Sequence, residues 1–395
     1  MQHRIGEAEA AYRDVLMSAP DTPEALNFIA MCAFSRGEFA RAQRGLTRAS
    51  QLDPTQPELW TNLGIVYLAQ QRGEDALGAL DRVLGLAPGQ FDARLHRGAA
   101  LEILHRSDAA AAQYLGAVSA AQHHGQWRDD ATTPLALRTA VKHAIAFVKI
   151  HRKRASLELL RPLRDKYGAA SLERVVRGLD MYLGLREAGY PDKRQFCKFF
   201  YVPGLRATPW YEEALFPWHA ELEKHTDVIR GELRGVLGQP AGVVPFLGTN
   251  DNQLLKEQKW LEGTRGHAEW NSFFFHRHGK VFDENARRCP RTTEILGSLP
   301  LVHIRDHAPE VLFSILEPGS HILPHHGVTN TRLVMHLPLI IPEDCAIRVG
   351  GVEHAWQEGR CVTFDDTFEH EAWNRSGKVR AVMILDAWHP DLMQA

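Results

Sequence analysis

A chain of 395 residues, 44% hydrophobic and 24% charged, is long enough for two or three domains with cores of their own. Its 46 basic side chains nearly cancel 48 acidic ones, and the net charge of −2 offers no general attraction to nucleic acid or an acidic membrane surface. No apolar run of about 18 residues, no secretory segment after Met1 and five scattered cysteines (Cys32, Cys197, Cys289, Cys345, Cys361) point away from a membrane span, a disulfide framework or a zinc site, so a cytoplasmic enzyme with reduced thiols is the expectation.

The N-terminal third is repetitive. Pro20, Pro54 and Pro88 recur every 34 positions, each closing one Ala- and Leu-rich helix and preceding the next, which is the tetratricopeptide period. Trp60, Leu63, Gly64 and Tyr67 suit the first helix of such a repeat. Ala42 or Ala76 is the small residue of the second helix, and Leu46 or Leu80 follows four places on. Small residues let helices approach closely and large ones fill the groove between them. Gly98, Leu101, Ala110 and Tyr114 make a looser third unit. Met1 to Ala19 matches only a second helix, so the array opens with a half-unit or starts upstream. Residues 1–121 are expected to form a short solenoid of the kind whose concave face grips extended peptides.

From Gln122 to Gly189 the spacing stays helical, as in Val141, Ala144, Ile145, Val148 and then Leu172, Val175, Val176, Leu179, but the 34-residue mark is lost. Divergent helical pairs are expected, with 122–195 as the connecting region. The basic stretches Lys149 to Arg154 and Arg161 to Lys166 read as solvated helix faces, not as a nucleic-acid site.

Beyond Phe199 the texture shifts to aromatics, Pro and Gly punctuation and short β-branched runs. Trp218 to Leu237 reads as a bracing helix. Phe273-Phe274-Phe275, Val311-Leu312-Phe313, Leu333-Val334-Met335, Ile347-Arg348-Val349, Cys361-Val362-Thr363-Phe364 and Val382-Met383-Ile384-Leu385 read as strands, and Glu353 to Gly359 as a hairpin connection. The fold class is α+β and multidomain: a tetratricopeptide solenoid followed, over 196–395, by a double-stranded β-helix barrel of the jelly-roll or cupin-like kind.

The chemistry gathers in Pro324-His325-His326-Gly327-Val328-Thr329-Asn330, in Phe364-Asp365-Asp366-Thr367-Phe368-Glu369-His370, and at Arg380. His325 and His370 lie 45 positions apart in extended sequence, with Arg380 ten further on. That order suits a barrel holding Fe(II) and a dicarboxylate cosubstrate. Iron oxygenases usually hold the metal by two histidines and one carboxylate, leaving positions open for O₂ and cosubstrate. Two places after His325 stands Gly327 where the carboxylate is expected, so the metal would keep an extra open or water-filled position. His326 would point to the opposite strand face. Asp365 and Asp366 suit support of the ligands, or a turn, better than ligation. Trp373 and Trp388 read as core.

The stretch from Ser314 through Pro390 resembles the aspartyl/asparaginyl β-hydroxylases nearly continuously. The likeness lies in Leu316-Glu317-Pro318-Gly319-Ser320-His321, Pro324-His325-His326-Gly327, Thr329-Asn330-Thr331-Arg332-Leu333, Met335-His336-Leu337, Phe364-Asp365-Asp366, Phe368-Glu369-His370-Glu371 and Asp386-Ala387-Trp388-His389-Pro390. Weaker likeness reaches back to Tyr201-Val202-Pro203-Gly204-Leu205 and Pro209-Trp210. The resemblance implies Fe(II) held by His325 and His370 with no protein carboxylate. It implies 2-oxoglutarate bound by Ser314, His336 and Arg380, the guanidinium gripping the far carboxylate as a fork. The product would be an Asp or Asn residue of a peptide or protein hydroxylated at its β-carbon. Arg332 matches the family's grip on a substrate carboxylate, and Trp270 with Arg265 would line the entry. The family often carries a second arginine two positions after Arg332; here that position is Val334. Some relatives act on lipid acyl chains and others on free or carrier-bound amino acids, so these substrates stay open. So do halogenation, with chloride at the emptied carboxylate position, and a repeat scaffold without catalysis. Oligomeric state is not legible.

Overall fold

The structure, a computed structural model, describes residues 2–247, 261–263 and 269–392, and the chain divides into two compact units, 1–161 and 162–395. The first unit is helical throughout. Helices α1 (Gln2–Ser18), α2 (Pro23–Ser35), α3 (Phe39–Leu52), α4 (Pro57–Ala69), α5 (Gly73–Leu86), α6 (Phe91–Ile103) and α7 (Ser107–His123) each pack on the next. Pro20, Pro54 and Pro88 lie in the turns before α2, α4 and α6. Pro23 and Pro57 sit in first turns, where a missing N–H leaves no bond unmade. The repeat's small positions are needed for close approach: a Cβ on Gly64 would lie 2.9 Å from Leu80, and one on Gly98 would run 2.5 Å from the Tyr114 ring.

The connecting region differs from the expected helical pairs. It holds one 30-residue helix, α8 (Arg138–Tyr167), and a short α9 (Glu173–Tyr182). Neither Pro nor Gly occurs from Arg138 to Arg161, so nothing interrupts the first of these before Pro162 inside its last turns. Val141, Ala144 and Val148 anchor its first half in the cluster that includes Tyr114 and Ala117 of α7.

In the second unit the expected Trp218–Leu237 helix is two, α10 (His219–Lys224) and α11 (Thr226–Gly238). The strands are β1 (Trp210–Tyr211), β2 (Val244–Pro245), β3 (Leu261–Gly263), β4 (Trp270–Arg277), β5 (Lys280–Val281) and β6 (Val311–Leu316). They continue with β7 (Ser320–His325), β8 (Arg332–Ile340), β9 (Cys345–Val349), β10 (Val352–His354), β11 (Val362–Phe364), β12 (His370–Asn374) and β13 (Arg380–Trp388). An eight-stranded sheet runs β1-β11-β8-β13-β6-β4-β2 with β5 on β4, and a five-stranded sheet runs β10-β9-β12-β7-β3. Every pair of named strands is antiparallel. The barrel expected from the sequence is present as two antiparallel sheets: among the described residues no strand pair returns either sheet on itself or joins it to the other.

The hairpin expected over 353–359 is also displaced. Gly350 and Gly351, at φ of 55° and 82°, make the tight β9–β10 turn, where two positive φ angles match the strand twist. The 355–361 stretch instead carries the chain from the five-stranded to the eight-stranded sheet.

Alternation on three adjacent strands sets up everything that follows. Phe313 and Ile315 of β6, Met335, Leu337 and Leu339 of β8, and Met383 and Leu385 of β13 pack with Ile229, Leu233 and Val236 of α11. Their neighbours Leu312 and Ser314, Arg332, Val334 and His336, and Arg380, Ile384 and Asp386 therefore face the other way, and line a cavity. Between the sheets, Leu316, Phe364 and Val382 meet Ile322, Ile347, Val349 and Ala372 in a second core.

Candidate active site

The cavity measures ≈ 160 Å³, enough for several waters or a small ligand. Its two ends differ in charge.

At the sheet-to-sheet end, β7 and β12 pair antiparallel with His325 directly opposite His370. Their rings lie 4.0 Å apart between centroids at 51°. Each ring is oriented by its own backbone: His325 Nδ1 lies 2.8 Å from Leu323 O and His370 Nδ1 lies 3.0 Å from Phe368 O. A carbonyl only accepts, so Nδ1 carries the proton in both rings and Nε2 is the basic, metal-competent atom. Burial, reinforced by His370 nearby, pushes His325 down to about 3. Burial likewise pushes His370 to about 4. Both imidazoles are therefore neutral at physiological pH, the form a metal needs. Among the described residues no three His, Cys, Asp or Glu side chains gather as a ligand cluster, so the pair stands as two imidazoles.

Gly327 explains why no carboxylate joins them from that position. A Cβ built on it would overlap the Asp366 carboxylate, and Gly327 N donates to Asp366 O at 2.6 Å. Asp366 fills the volume a longer residue 327 would need. Its neighbour Asp365 takes a turn role, accepting from Thr367 N at 2.9 Å and from Gln195 Nε2 at 2.9 Å. His326, just past the end of β7, leaves the cavity and meets the edge of Phe196 at 5.8 Å.

Arg380 stands 1% exposed at the other end of the floor, and burial drags it down to about 10. Among the described residues no carboxylate comes within ion-pairing distance of it, and its Nε has no partner. Its nearest companions are the Ser314 hydroxyl, 3.3 Å from NH1, and the Trp356 ring, 4.9 Å from the guanidinium carbon. Trp270 Nε1 donates to the same Ser314 Oγ at 2.9 Å while its ring stacks on Phe246 at 3.9 Å. Ser314 Oγ thus accepts twice, and its own proton is the one left to donate. His336 opposes Ile384 on β13 and is 5% exposed; burial, with Arg380 and His370 beside it, holds it neutral, and its Nδ1 has no partner among the described residues.

Arg332 is the second cation of the lining. Its NH1 contacts Asp386 Oδ1 at 2.9 Å and Asp366 Oδ2 at 3.4 Å. Glu310 completes the Arg332–Asp386 side of the cavity, at the opposite end of β13 from Arg380, and is pushed up to about 7 mainly by burial. Among the sequence-picked residues, His325, His370, Ser314, His336, Arg380, Arg332 and Trp270 all reach the cavity; Arg265 lies outside the described residues. Sequence reasoning missed Trp356, Phe246 and Glu310, none of which sits in a motif.

Comparison with known proteins decides the family. The family described as Aspartyl/Asparaginyl beta-hydroxylase matches residues 223–390, and the tetratricopeptide repeat family matches 1–61 and 33–128. The C-terminal domain belongs to the aspartyl/asparaginyl β-hydroxylase family. Human aspartyl/asparaginyl beta-hydroxylase is 28% identical over 96% of this chain and 45% of its own length. The ornithine lipid ester-linked acyl 2-hydroxylase of Rhizobium tropici is 36% identical over 46% of this chain and 61% of its own. Human aspartate beta-hydroxylase domain-containing protein 2 is 31% identical over 54% of this chain and 58% of its own. The chain spans about half the length of the human and mouse aspartyl/asparaginyl beta-hydroxylases it matches. Among the described residues no helix is long and apolar enough to cross a membrane.

Proposed function

We propose that this protein is an Fe(II)- and 2-oxoglutarate-dependent dioxygenase that hydroxylates the β-carbon of an Asp or Asn residue in a polypeptide. The observation that carries the reading is a buried guanidinium that no carboxylate meets among the described residues, in the same cavity as two neutral imidazoles already set in the ligand tautomer. A desolvated cation costs several kcal/mol unless an anion meets it. A small dicarboxylate supplies that anion.

The strand order, with β6-β13-β8-β11 in one sheet and β7-β12-β9-β10 in the other, is read as a double-stranded β-helix whose two faces present the ligands. His325 and His370 would hold the metal through Nε2. Arg380 would fork the far carboxylate of 2-oxoglutarate, with the Ser314 proton, fixed by Trp270, as an added donor. His336, neutral and with an open ring nitrogen, would meet the cosubstrate's polar atoms. Bound there, iron and keto acid supply the oxidation: O₂ gives one atom to the substrate C–H and one to the succinate formed together with CO₂. The chain's own part is to bind, orient and exclude water. The repeats, present in a chain matched over nearly its whole length by the human hydroxylase, favour a polypeptide substrate held by the solenoid.

A lipid acyl chain is the second reading, favoured by the higher identity to the Rhizobium protein over the catalytic half. Mass spectrometry of cell-extract peptides incubated with the iron-loaded protein separates the two. One added oxygen on Asp or Asn peptides supports the first reading; oxidised acyl chains with unmodified peptides reverse it.

A further inference from the structure

Arg380 is buried among neutral groups. Its NH1 lies 3.3 Å from the Ser314 hydroxyl and 3.5 Å from the Ser314 carbonyl oxygen, both long for a hydrogen bond, and among the described residues no carboxylate pairs with it. The Cys345 thiol nearby is turned to Asn374, donating to its Oδ1 at 3.1 Å. The remaining contact is the Trp356 ring, with the guanidinium carbon over it at 4.9 Å from the centroid. The same indole meets the His336 ring at 5.8 Å and 37°. Two of the three residues assigned to the cosubstrate therefore rest on one aromatic side chain. Trp356 is 6% exposed and lies outside the lining of the cavity, so it can reach a ligand only through the residues it supports.

The indole is itself firmly set. It stands on the stretch that carries the chain from the five-stranded to the eight-stranded sheet, and that stretch is pinned to the end of β8. Gly359 N–H donates to Pro338 O at 2.9 Å, and Glu358 Oε1 accepts from Ile341 N–H at 2.9 Å. The Glu358 carboxylate is also paired with Arg230 of α11 at 3.3 Å. Around the ring, Ile347, Phe364 and Phe368 belong to the core between the sheets, which leaves it little room to turn.

A carboxylate in the place of Trp356 would hold Arg380 more strongly, but it would accept the N–H groups that a dicarboxylate ligand needs and cancel the charge that attracts it. An aromatic face attracts a cation through its quadrupole, most where water is excluded, and takes none of the guanidinium's in-plane N–H bonds. We infer that Trp356 is a positioning residue for the cosubstrate, its ring fixing the Arg380 guanidinium from behind and leaving the N–H groups to fork the far carboxylate. This rests on the reading of Arg380 as the 2-oxoglutarate anchor.

The test measures binding apart from turnover. Full-length protein loaded with Zn(II) is titrated by calorimetry with 2-oxoglutarate and with 2-oxopentanoate, which carries a methyl where the far carboxylate stands. Wild-type protein is expected to prefer the dicarboxylate. Trp356→Leu, which keeps apolar bulk and removes the ring, is expected to cut that preference about tenfold, and Trp356→Phe, a weaker π face in the same place, about threefold. The Kd of 2-oxopentanoate should stay nearly constant in both, since that ligand does not engage Arg380. If Arg380→Ala abolishes the preference while Trp356→Leu keeps it, or weakens both acids equally as a merely structural change would, the inference is overturned and the anchor stands. If Arg380→Ala keeps the preference, the anchor reading itself is overturned. Should the leucine variant fail to fold, the phenylalanine variant carries the same comparison: a wild-type preference there overturns the inference.

Discussion

At the residue scale, the site depends on a few side chains whose burial fixes their charge. Arg380→Ala is expected to raise the KM for 2-oxoglutarate by about 10- to 100-fold, the equivalent of roughly 1.5–3 kcal/mol for hydrogen bonds to a charged group. Arg380→Lys should recover only part of this, because an ammonium cannot fork a carboxylate. Succinate release against cosubstrate concentration measures both. The histidines give a pH signature. Their folded values of about 3 and 4 lie well below the ordinary imidazole value of about 6.5. Below about 6.5 the unfolded rings take protons that the folded rings refuse until near 4 or 3, so the metal-free protein should lose stability as pH falls through that window. Melting curves at a series of pH values check the sign, and His325→Asn should flatten the slope. Gly327→Ala pushes a methyl into the Asp366 carboxylate and is expected to cost about 1–3 kcal/mol; adding Asp366→Ala should recover most of the lost Tm. His325 and His370 stood out by their motifs, and Ser314, His336 and Arg380 followed from the family resemblance; the fold brings all five to one cavity. Trp356 and Glu310 were not legible, since only the folded chain brings them to Arg380 and to Asp386.

At the element scale, strands with β-branched or aromatic runs were readable from period two, and the same alternation that buries Met335 and Met383 under α11 turns His336 and Arg380 to the cavity. What local pattern does not carry is which strands pair. The division of the strands into two sheets, and a crossover where a hairpin was expected over 353–359, are set by long-range partners. The single helix α8 likewise reflects an absence of breakers that the loss of the 34-residue mark had obscured. In the solenoid, where contacts are local, small residues were legible down to the position. Gly98→Ala should therefore destabilise the α6–α7 pair, since its Cβ meets the Tyr114 ring at 2.5 Å. Hydrogen exchange is expected to quicken in those two helices while succinate turnover stays unchanged.

At the scale of the whole molecule, the chain divides into a unit with the repeats and a unit with the cavity, and ligands of the cavity should act on the second alone. A redox-inert divalent cation with 2-oxoglutarate, each at about 100 times its Kd, should stabilise residues 162–395 by roughly 5.4 kcal/mol, about 2.7 for each ligand. Protection in the 34-residue repeats should not change, which hydrogen exchange resolves unit by unit. The sequence marks three regions, with limits after 121 and 195, where the repeat period is lost and the texture turns to strands; the two compact units instead meet inside α8, between Arg161 and Pro162, because the first half of that helix packs with the repeats. The account as a whole stands on His325 and His370 converging on iron beside Arg380. The most direct measurement is O₂-dependent succinate release from 2-oxoglutarate by the iron-loaded protein, set against His325→Ala. The expected result is turnover above the free-iron blank that vanishes in the variant; turnover that persists in the variant, or none in a wild-type protein that binds both iron and 2-oxoglutarate, contradicts the account.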